Sequence, residues 1–480
     1  MNYKPVIGLE VHIELSTQSK MFCRCSADYF GAKPNTHTCP VCLGLPGAMP
    51  KANKLAIEFV QKLGFALKCQ PQLSSKFDRK SYFYPDLPKG FQISQFDLPF
   101  SQKGHLEIRT GDQIKKIGIT RTHLEEDTGK LSHATINGKR VTLIDFNRSG
   151  VPLMEVVSEP EMQSATEAKA YSQKLQQIVR YLGISDADME KGSMRIEPNV
   201  SLRKSGDKKL PNYKIELKNI NSFRFAERAI NYEIERQIQI LESGKIPHQE
   251  TRGWDEKNNR TVSQRSKELS YDYRYFPEPD LPSFNFDQEY FTKLQSQIPE
   301  LPDQKVKRLL RNYQISEGEA ILICQDKNLA DFFEETVKVY KGSPKKIVNW
   351  ITGELLRRLN ETNQSIRDIN LLPAQLAELL FMTDQNKITN ATAKDVFEKM
   401  IQNGKSASEL ISELDLTLIS QKELEKTTET VIKNNQKAVA DFKNGKKESL
   451  DFLIGQTQRL TKGKANPALV RQLLLDKLES

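Results

Sequence analysis

With 480 residues, of which 38% are hydrophobic and 28% charged, the chain exceeds one ordinary compact core, and about three domains are expected. No run of about 18 apolar residues is present to span a bilayer, and the opening MNYKPVIGLEVHIEL enters an alternating strand pattern without a leader signature, so a cytoplasmic chain with no membrane partner is expected. The net charge of +9 and pI near 9.0 suit a partner carrying phosphates, although a lysine-rich solvated surface gives the same balance.

In Val6 to Leu15, apolar residues alternate with Gly8, Glu10, His12 and Glu14, and a period of two places these four on one face of a strand. Glu10 and His12 are then neighbours, in a pattern that a solvated strand face also produces. Next come Cys23-Arg-Cys25, thirteen intervening residues and Cys39-Pro-Val-Cys42. Two tight pairs separated by a loop are what a tetrahedral four-cysteine zinc site needs, and four sulfur ligands leave no open position, so the zinc is expected to be structural. Reduced buried thiols or a redox CxxC are the alternatives, but no thioredoxin-like βαβ pattern follows. Cys69 and Cys324 stand alone.

The segment Lys76 to Gly90 sets Arg79, Lys80 and Lys89 among aromatics and prolines, as a phosphate-facing loop or a proline-ordered surface. The chain has no GxxxxGK[ST], so a nucleotide would be positioned by carboxylate-held metal and scattered Lys and Arg. Further on, His123-Leu-Glu-Glu-Asp127 and Asn147 to Glu155 flank Asn137-Gly138, a strong hairpin signal. A two-residue loop sets 136 opposite 139, and the same register carried outward sets 125 opposite 150. Acidic groups gathered in this way repel without a cation, and hard oxygen ligands with an imidazole suit Mg2+ or Mn2+. A polar sheet edge is the plainer reading.

Ser164-Ala-Thr-Glu167 is a capping box that opens a helix with Tyr171, Leu175, Ile178 and Leu182 on one face, closed by Gly183. A second helix is predicted from about Ser222 to Ser243, with Ala226, Ile230, Ile234, Ile238 and Leu241 as its stripe. Helices and alternating strands make the first part α+β, with a boundary near Gln297 to Pro302. The rest reads as helical: Ile347, Ile351, Leu355 and Leu359 recur at intervals of four, a break falls near Gln402 to Lys405, and Asn466-Pro467 opens a last helix carrying Leu469, Leu473, Leu474 and Leu478. Seven cations between Asp441 and Arg471 (Lys443, Lys446, Lys447, Arg459, Lys462, Lys464, Arg471) against Asp441, Glu448 and Asp451 suit phosphate contacts or a solvated helix face.

Several segments are more specific. GLEVHIEL (8–15), the CxC and CPVC pairs, KFDRKSYFYPDLPKGFQISQFD (76–97), HLEEDTGK (123–130), NRSGVPLMEVVSEP (147–160), MEKGSMRIEPNVSLR (189–203), ELKNINSF (216–223) and DYRYFPEPDLP (272–282) resemble, in order, the B subunits of tRNA-dependent amidotransferases. The likeness continues more loosely to GKANP at 463–467. It implies a cradle-like catalytic domain with antiparallel sheet and helices over 1–295, an all-α domain over 296–403 and an α-helical YqeY-like tail over 404–480 that contacts tRNA. It also implies ATP, Mg2+ and structural Zn2+, an amidase-type A subunit that releases ammonia from glutamine, a small C subunit, and misacylated Glu-tRNA(Gln) or Asp-tRNA(Asn) as substrate of an ATP-dependent ligase. Carried over by motif, Glu10, His12, Glu125 or Glu126, Glu155 and Glu216 would hold magnesium. Arg79 and Lys80 would contact the nucleotide, while Lys80, Lys89 and Glu197 would line the path of ammonia. A regular strand turns Glu125 and Glu126 to opposite faces, so the motif alone does not choose between them. Arg195-Ile-Glu-Pro198 departs from the aspartate-containing form of the family at Glu197. A zinc-containing, non-catalytic tRNA-binding subunit and a two-metal phosphohydrolase are the competing readings.

Overall fold

A computed structural model describes residues 2–266, 273–414, 416, 420–461 and 463–479, so Asp272 of the DYRYF motif and Lys462 of the tail lie outside the described residues. The alternation at the start becomes a strand over Tyr3–Glu14, with Ile7, Leu9, Val11 and Ile13 buried on one face. It lies inside a nine-stranded sheet whose order is Arg260–Ser266, Glu250–Asp255, Ile215–Lys218, Met194–Lys204, Tyr3–Glu14, Pro152–Ser158, Gln113–Glu126, Ser101–Thr110 and Gln70–Pro71. Neighbours are antiparallel except Ile215–Lys218 with Glu250–Asp255. This is the α+β class expected from the sequence.

Helices Lys54–Ala66, Ala165–Leu182 and Phe223–Glu242 pack on the sheet, and their apolar faces form one core with Leu9, Val11, Leu124, Met154, Val156, Ile196 and Val200. Each fully buried Leu, Ile or Val contributes roughly 1.5–3 kcal/mol relative to exposure, so this face holds the sheet against the helices and frees the opposite face for polar groups. The first helix sits close: a Cβ on Gly64 would lie 2.2 Å from Ser101 Oγ.

Ser164 accepts the Glu167 N–H and Gly183 closes the helix at φ 67°, as predicted. The Glu167 carboxylate, however, accepts from Gln163 N at 2.7 Å, one residue before the position a capping box uses. In Phe223–Glu242 the stripe is turned from the expected one, with Ile234, Ile238 and Leu241 only half-buried and Glu233 and Gln237 fully buried. Glu233 accepts from Arg236, Gln237 and Thr261, while Gln237 joins Tyr213 and the Val200 carbonyl, so the polar pair is satisfied inside the core.

Contacts divide the chain into Met1–Leu301 and Pro302–Ser480. In the second unit Ile347, Ile351, Leu355 and Leu359 are all buried, although strict four-residue spacing drifts around an α-helix. A π-helical turn over Ile351–Leu355 corrects the drift between helices Pro344–Trp350 and Leu356–Thr362. One core runs from Leu309 to Ile411, and a separate one begins at Leu424 and ends at Leu478. In the last helix, Pro467–Glu479, Val470, Leu474 and Leu478 are buried and Leu469 is exposed. Among the described residues no helix is long and apolar enough to cross a membrane.

Candidate functional site

The hairpin Lys130–Ile136 with Lys139–Asp145 has the predicted register, Ile136 opposite Lys139. It forms its own two-stranded sheet, and beyond it Glu125 faces Leu153 and not residue 150. The ladder breaks because the chain turns at Gly150, at φ 86°, where Gly150 N donates to the Asp127 carbonyl and Asp127 N to that of Val151. The turn uses up extra residues on the second strand before pairing resumes, and the acidic segments still meet.

Register then assembles the polar face of the large sheet. His12 lies between Glu155 on one side and Arg195 on the other, Glu10 is opposite Glu197, and Glu155 is opposite His123. His12 Nε2 is 3.4 Å from Glu155 and 3.8 Å from Glu125. A nitrogen of His12 and one oxygen each of Glu125 and Glu155 lie within 4.8 Å of one another. Burial alone would push the His12 pKa down, but its hydrogen bond to Glu155 and the charges of Glu155, Glu197 and Glu125 raise it to about 9. Glu155 resists its own burial and is held well below the usual carboxylate range by His123 and His12. One imidazole with carboxylate oxygens is a donor set that fits Mg2+ or Mn2+.

A second acidic group, Glu10, Glu197 and Glu216, lies on the same face with oxygens within 4.8 Å. Lys218 reaches Glu197 at 3.0 Å and Glu216 at 3.6 Å, Asn199 donates to Glu10 at 3.0 Å, and Thr251 donates to Glu216 at 2.6 Å. Burial and the nearby Glu155 raise the Glu10 pKa. At the other end of the first strand, burial and Asp127 push Glu14 up to about 8, and Tyr29 donates to both its oxygens.

Cys23, Cys25, Cys39 and Cys42 are free thiols whose sulfurs lie within 4.8 Å of one another. The Cys39 and Cys42 sulfurs are 3.9 Å apart, against about 3.8 Å between ligands of a tetrahedron with Zn–S near 2.3 Å. The donor set therefore fits zinc. Lys20, 1% exposed, donates to Cys42 Sγ at 3.7 Å and to the Phe146 carbonyl at 3.2 Å. Asn35 and Asn147 also tie this loop to the end of the hairpin.

The pairing separates the two glutamates that the motif leaves equivalent. Glu125 joins His12 and accepts from Ser94 at 3.2 Å, while Glu126 turns away to the Lys89 ammonium and the Ile93 N–H. Lys89 and Glu126 line a cavity of about 180 Å3 shared with Cys42, so Lys89 is not on the face that carries Glu197. Lys80 does face the cluster: despite burial, Glu125, Tyr275 and Glu155 hold its ammonium above the usual range. Arg79 is engaged by Glu278 through two bonds of 2.7 and 2.9 Å and lies 4.3 Å from the Phe91 ring, an engagement that suits a framework role. Sequence reasoning assigns no role to His123, whose Nε2 is 3.3 Å from Glu155, although period two already puts it on the face of Glu125. Arg195, which grips Asp127 at 2.6 Å, and Lys218 lie inside the segments 189–203 and 216–223 but are given no role by the sequence.

Comparison with known proteins adds an independent line. A family model described as the GatB/GatE catalytic domain matches residues 5–292, and a second, described as the GatB domain, matches 331–478. Similar relatives are named as the B subunit of aspartyl/glutamyl-tRNA(Asn/Gln) amidotransferase. That of Carboxydothermus hydrogenoformans is 48% identical over 478 residues, 99% of each chain. Those of Thermodesulfovibrio yellowstonii (47% over 475 residues, 99% of each chain) and Persephonella marina (46% over 480 residues, 100% of each chain) are alike to a similar degree.

Proposed function

Because the chain belongs to the B-subunit family of the aspartyl/glutamyl-tRNA(Asn/Gln) amidotransferases, we propose that its polar sheet face phosphorylates the side-chain carboxylate of glutamate or aspartate misacylated to tRNA and presents the product to ammonia. The supporting observation is the convergence of His12, Glu125 and Glu155 from three adjacent strands within 4.8 Å. An ionised carboxylate has a poor leaving group. Its oxygen therefore attacks the γ-phosphorus of ATP, the bond to the bridging oxygen breaks, and ADP leaves with that electron pair. Ammonia then attacks the acyl carbon, phosphate departs, and the nitrogen gives up a proton.

His12, Glu125 and Glu155 would hold Mg2+, with Glu10, Glu197 and Glu216 available beside them on the same face. Held there, the ion would supply positive charge to the transferred phosphoryl group. Lys80 keeps its proton beside Glu125 and Glu155 and offers a fixed positive charge to phosphate oxygens. Glu197, paired with Lys218, would take a proton from the incoming nitrogen. Lys89, which donates to Glu126 beside the cysteine loop, would line the path of ammonia before it reaches this face.

The four cysteines would hold structural zinc that pins residues 23–42 to the sheet. The amidase-type A subunit and small C subunit supply ammonia and assembly, in the cytoplasm where tRNA is charged. We assign residues 1–295 to catalysis, 296–403 to a helical spacer and the tail from about 404 to tRNA affinity, with Arg471 and Lys446 partly neutralised by Asp451 and Asp441. The test is reconstitution with the partner subunits, followed by an assay of Gln-tRNA and Asn-tRNA formation from ATP, glutamine and misacylated tRNA. Amide product that depends on this chain supports the reading. Phosphate release without acyl phosphate or amide would mark a phosphohydrolase, and tRNA binding without ATP cleavage a non-catalytic subunit.

A further inference from the structure

We propose that Phe96 and Tyr275 form a stacking platform for the base of the 3′-terminal nucleotide of the aminoacylated tRNA, at the rim of the His12, Glu125 and Glu155 cluster. The inference rests on the reading of that cluster as the phosphorylation centre. Phe96 is a large apolar side chain left 51% exposed. Its ring lies stacked on Tyr275, with centroids 4.4 Å apart and planes at 13°. Tyr275 meets Tyr273 edge-on at 6.0 Å, Tyr273 meets Tyr82 at 6.0 Å, and the Lys80 ammonium lies 5.0 Å from the Tyr273 ring. An aromatic wall thus runs from the exposed ring inward to Lys80.

The backbone fixes the exposed end of that wall to the cluster. Ser94, two residues before Phe96, donates to Glu125 at 3.2 Å. Phe96 N donates to Asp78 at 3.0 Å, and Arg121, on the strand face of His123 and Glu125, donates to the Phe96 carbonyl at 3.0 Å. Both backbone groups of Phe96 are therefore held while one ring face stays open to solvent. A held, exposed aromatic with a guanidinium bonded to its own backbone carbonyl is the chemistry that receives unstacked bases at single-stranded ends.

Geometry favours the tRNA end over the adenine of ATP. A platform open on one face at the rim suits a chain end arriving from outside, whose esterified amino acid then points inward along the wall toward Lys80. Arg121 beside it is placed for the phosphate that precedes the terminal nucleoside. A free nucleotide is more commonly enclosed on both faces of its base.

The experiment uses the assembled amidotransferase carrying Phe96→Ala or Phe96→Tyr. For Phe96→Ala, KM for misacylated tRNA and the Kd for the same tRNA measured without ATP should both rise by roughly tenfold, the loss expected for one base stack. KM for ATP should stay at the wild-type value, and Phe96→Tyr should restore tRNA affinity. A rise in KM for ATP, alone or alongside that for tRNA, would place the platform elsewhere in the reaction and overturn the proposal, as would no change in either. Should the wild-type enzyme fail to cleave ATP in response to misacylated tRNA, the reading of the cluster falls by itself, and the Kd comparison still decides whether Phe96 binds the tRNA end.

Discussion

Replacing Arg79 by methionine separates a framework role from a nucleotide contact. The Arg79 side chain is 23% exposed and that of Glu278 is 1% exposed, with two bonds of 2.7 and 2.9 Å between them. Removing one partner of such a pair costs about 3–5 kcal/mol, because the remaining charge stays buried. Glu278 would keep the Asp280 N–H at 3.0 Å, and Arg79 is not wholly shielded, which places the expected loss near the lower end, about 3 kcal/mol. The lost contact with the Phe91 ring adds about 0.5–1 kcal/mol. Urea unfolding of Arg79→Met should show this loss, and Arg79→Met with Glu278→Gln should recover at least half of it, since the second change removes the stranded charge. KM for ATP in the assembled enzyme should not move in either variant. A raised KM for ATP with unchanged stability would refute the assignment and return Arg79 to the nucleotide.

The remaining expectations concern the cysteine loop, the tail and acid stability. Metal analysis after dialysis should find one zinc per chain, and Lys20→Met should speed its loss to a chelator by roughly tenfold by removing the ammonium from the Cys42 sulfur; zinc-free folded protein would sink the site. Deleting the tail from about residue 404 should lower the salt slope of tRNA binding by roughly 0.7–0.9 for each phosphate contact removed, whereas unchanged affinity and slope would place tRNA binding elsewhere. The Lys345 hydrogen bond, with Ser316 N–H, draws the Glu319 pKa from 4.5 down to about 2. Because the folded value is depressed, that stabilisation is complete above pH about 4.5 and is lost as pH falls toward about 2. Lys345→Gln should therefore flatten the fall in melting temperature between pH 5 and 3, and an identical pH profile for the variant would contradict the pairing.

Much of the polar face was legible because strand periodicity is strict. Gly8, Glu10, His12 and Glu14 share a side once residues 3–14 are extended, and the Asn137-Gly138 turn fixed its own hairpin. What periodicity does not carry is the pairing of distant strands. Glu125 is distinguished from Glu126 only by which neighbour each meets across the sheet, and the three-residue slip from residue 150 to Leu153 depends on the turn at Gly150. Arg79 reads as a loop cation in sequence because its partner, Glu278, is 199 residues away. Helix stripes mislead for a related reason: buried Glu233 looks like a surface residue until Arg236, Thr261 and Gln237 surround it. At residues 351–355 the four-residue spacing was itself the trace of a π-turn, a local signal open to a closer reading.

Substitution of the shared imidazole tests the central claim most directly. In the assembled enzyme, His12→Ala leaves Glu125 and Glu155 facing each other without the group that lies 3.8 and 3.4 Å from them. The measurement is formation of the acyl phosphate on misacylated tRNA with radiolabelled ATP, in a variant that has kept its zinc and its partner subunits. The account predicts loss of tRNA-dependent ATP cleavage and of acyl phosphate, with glutamine hydrolysis by the partner subunit preserved. Acyl phosphate made at the wild-type rate by folded, assembled His12→Ala enzyme would contradict it.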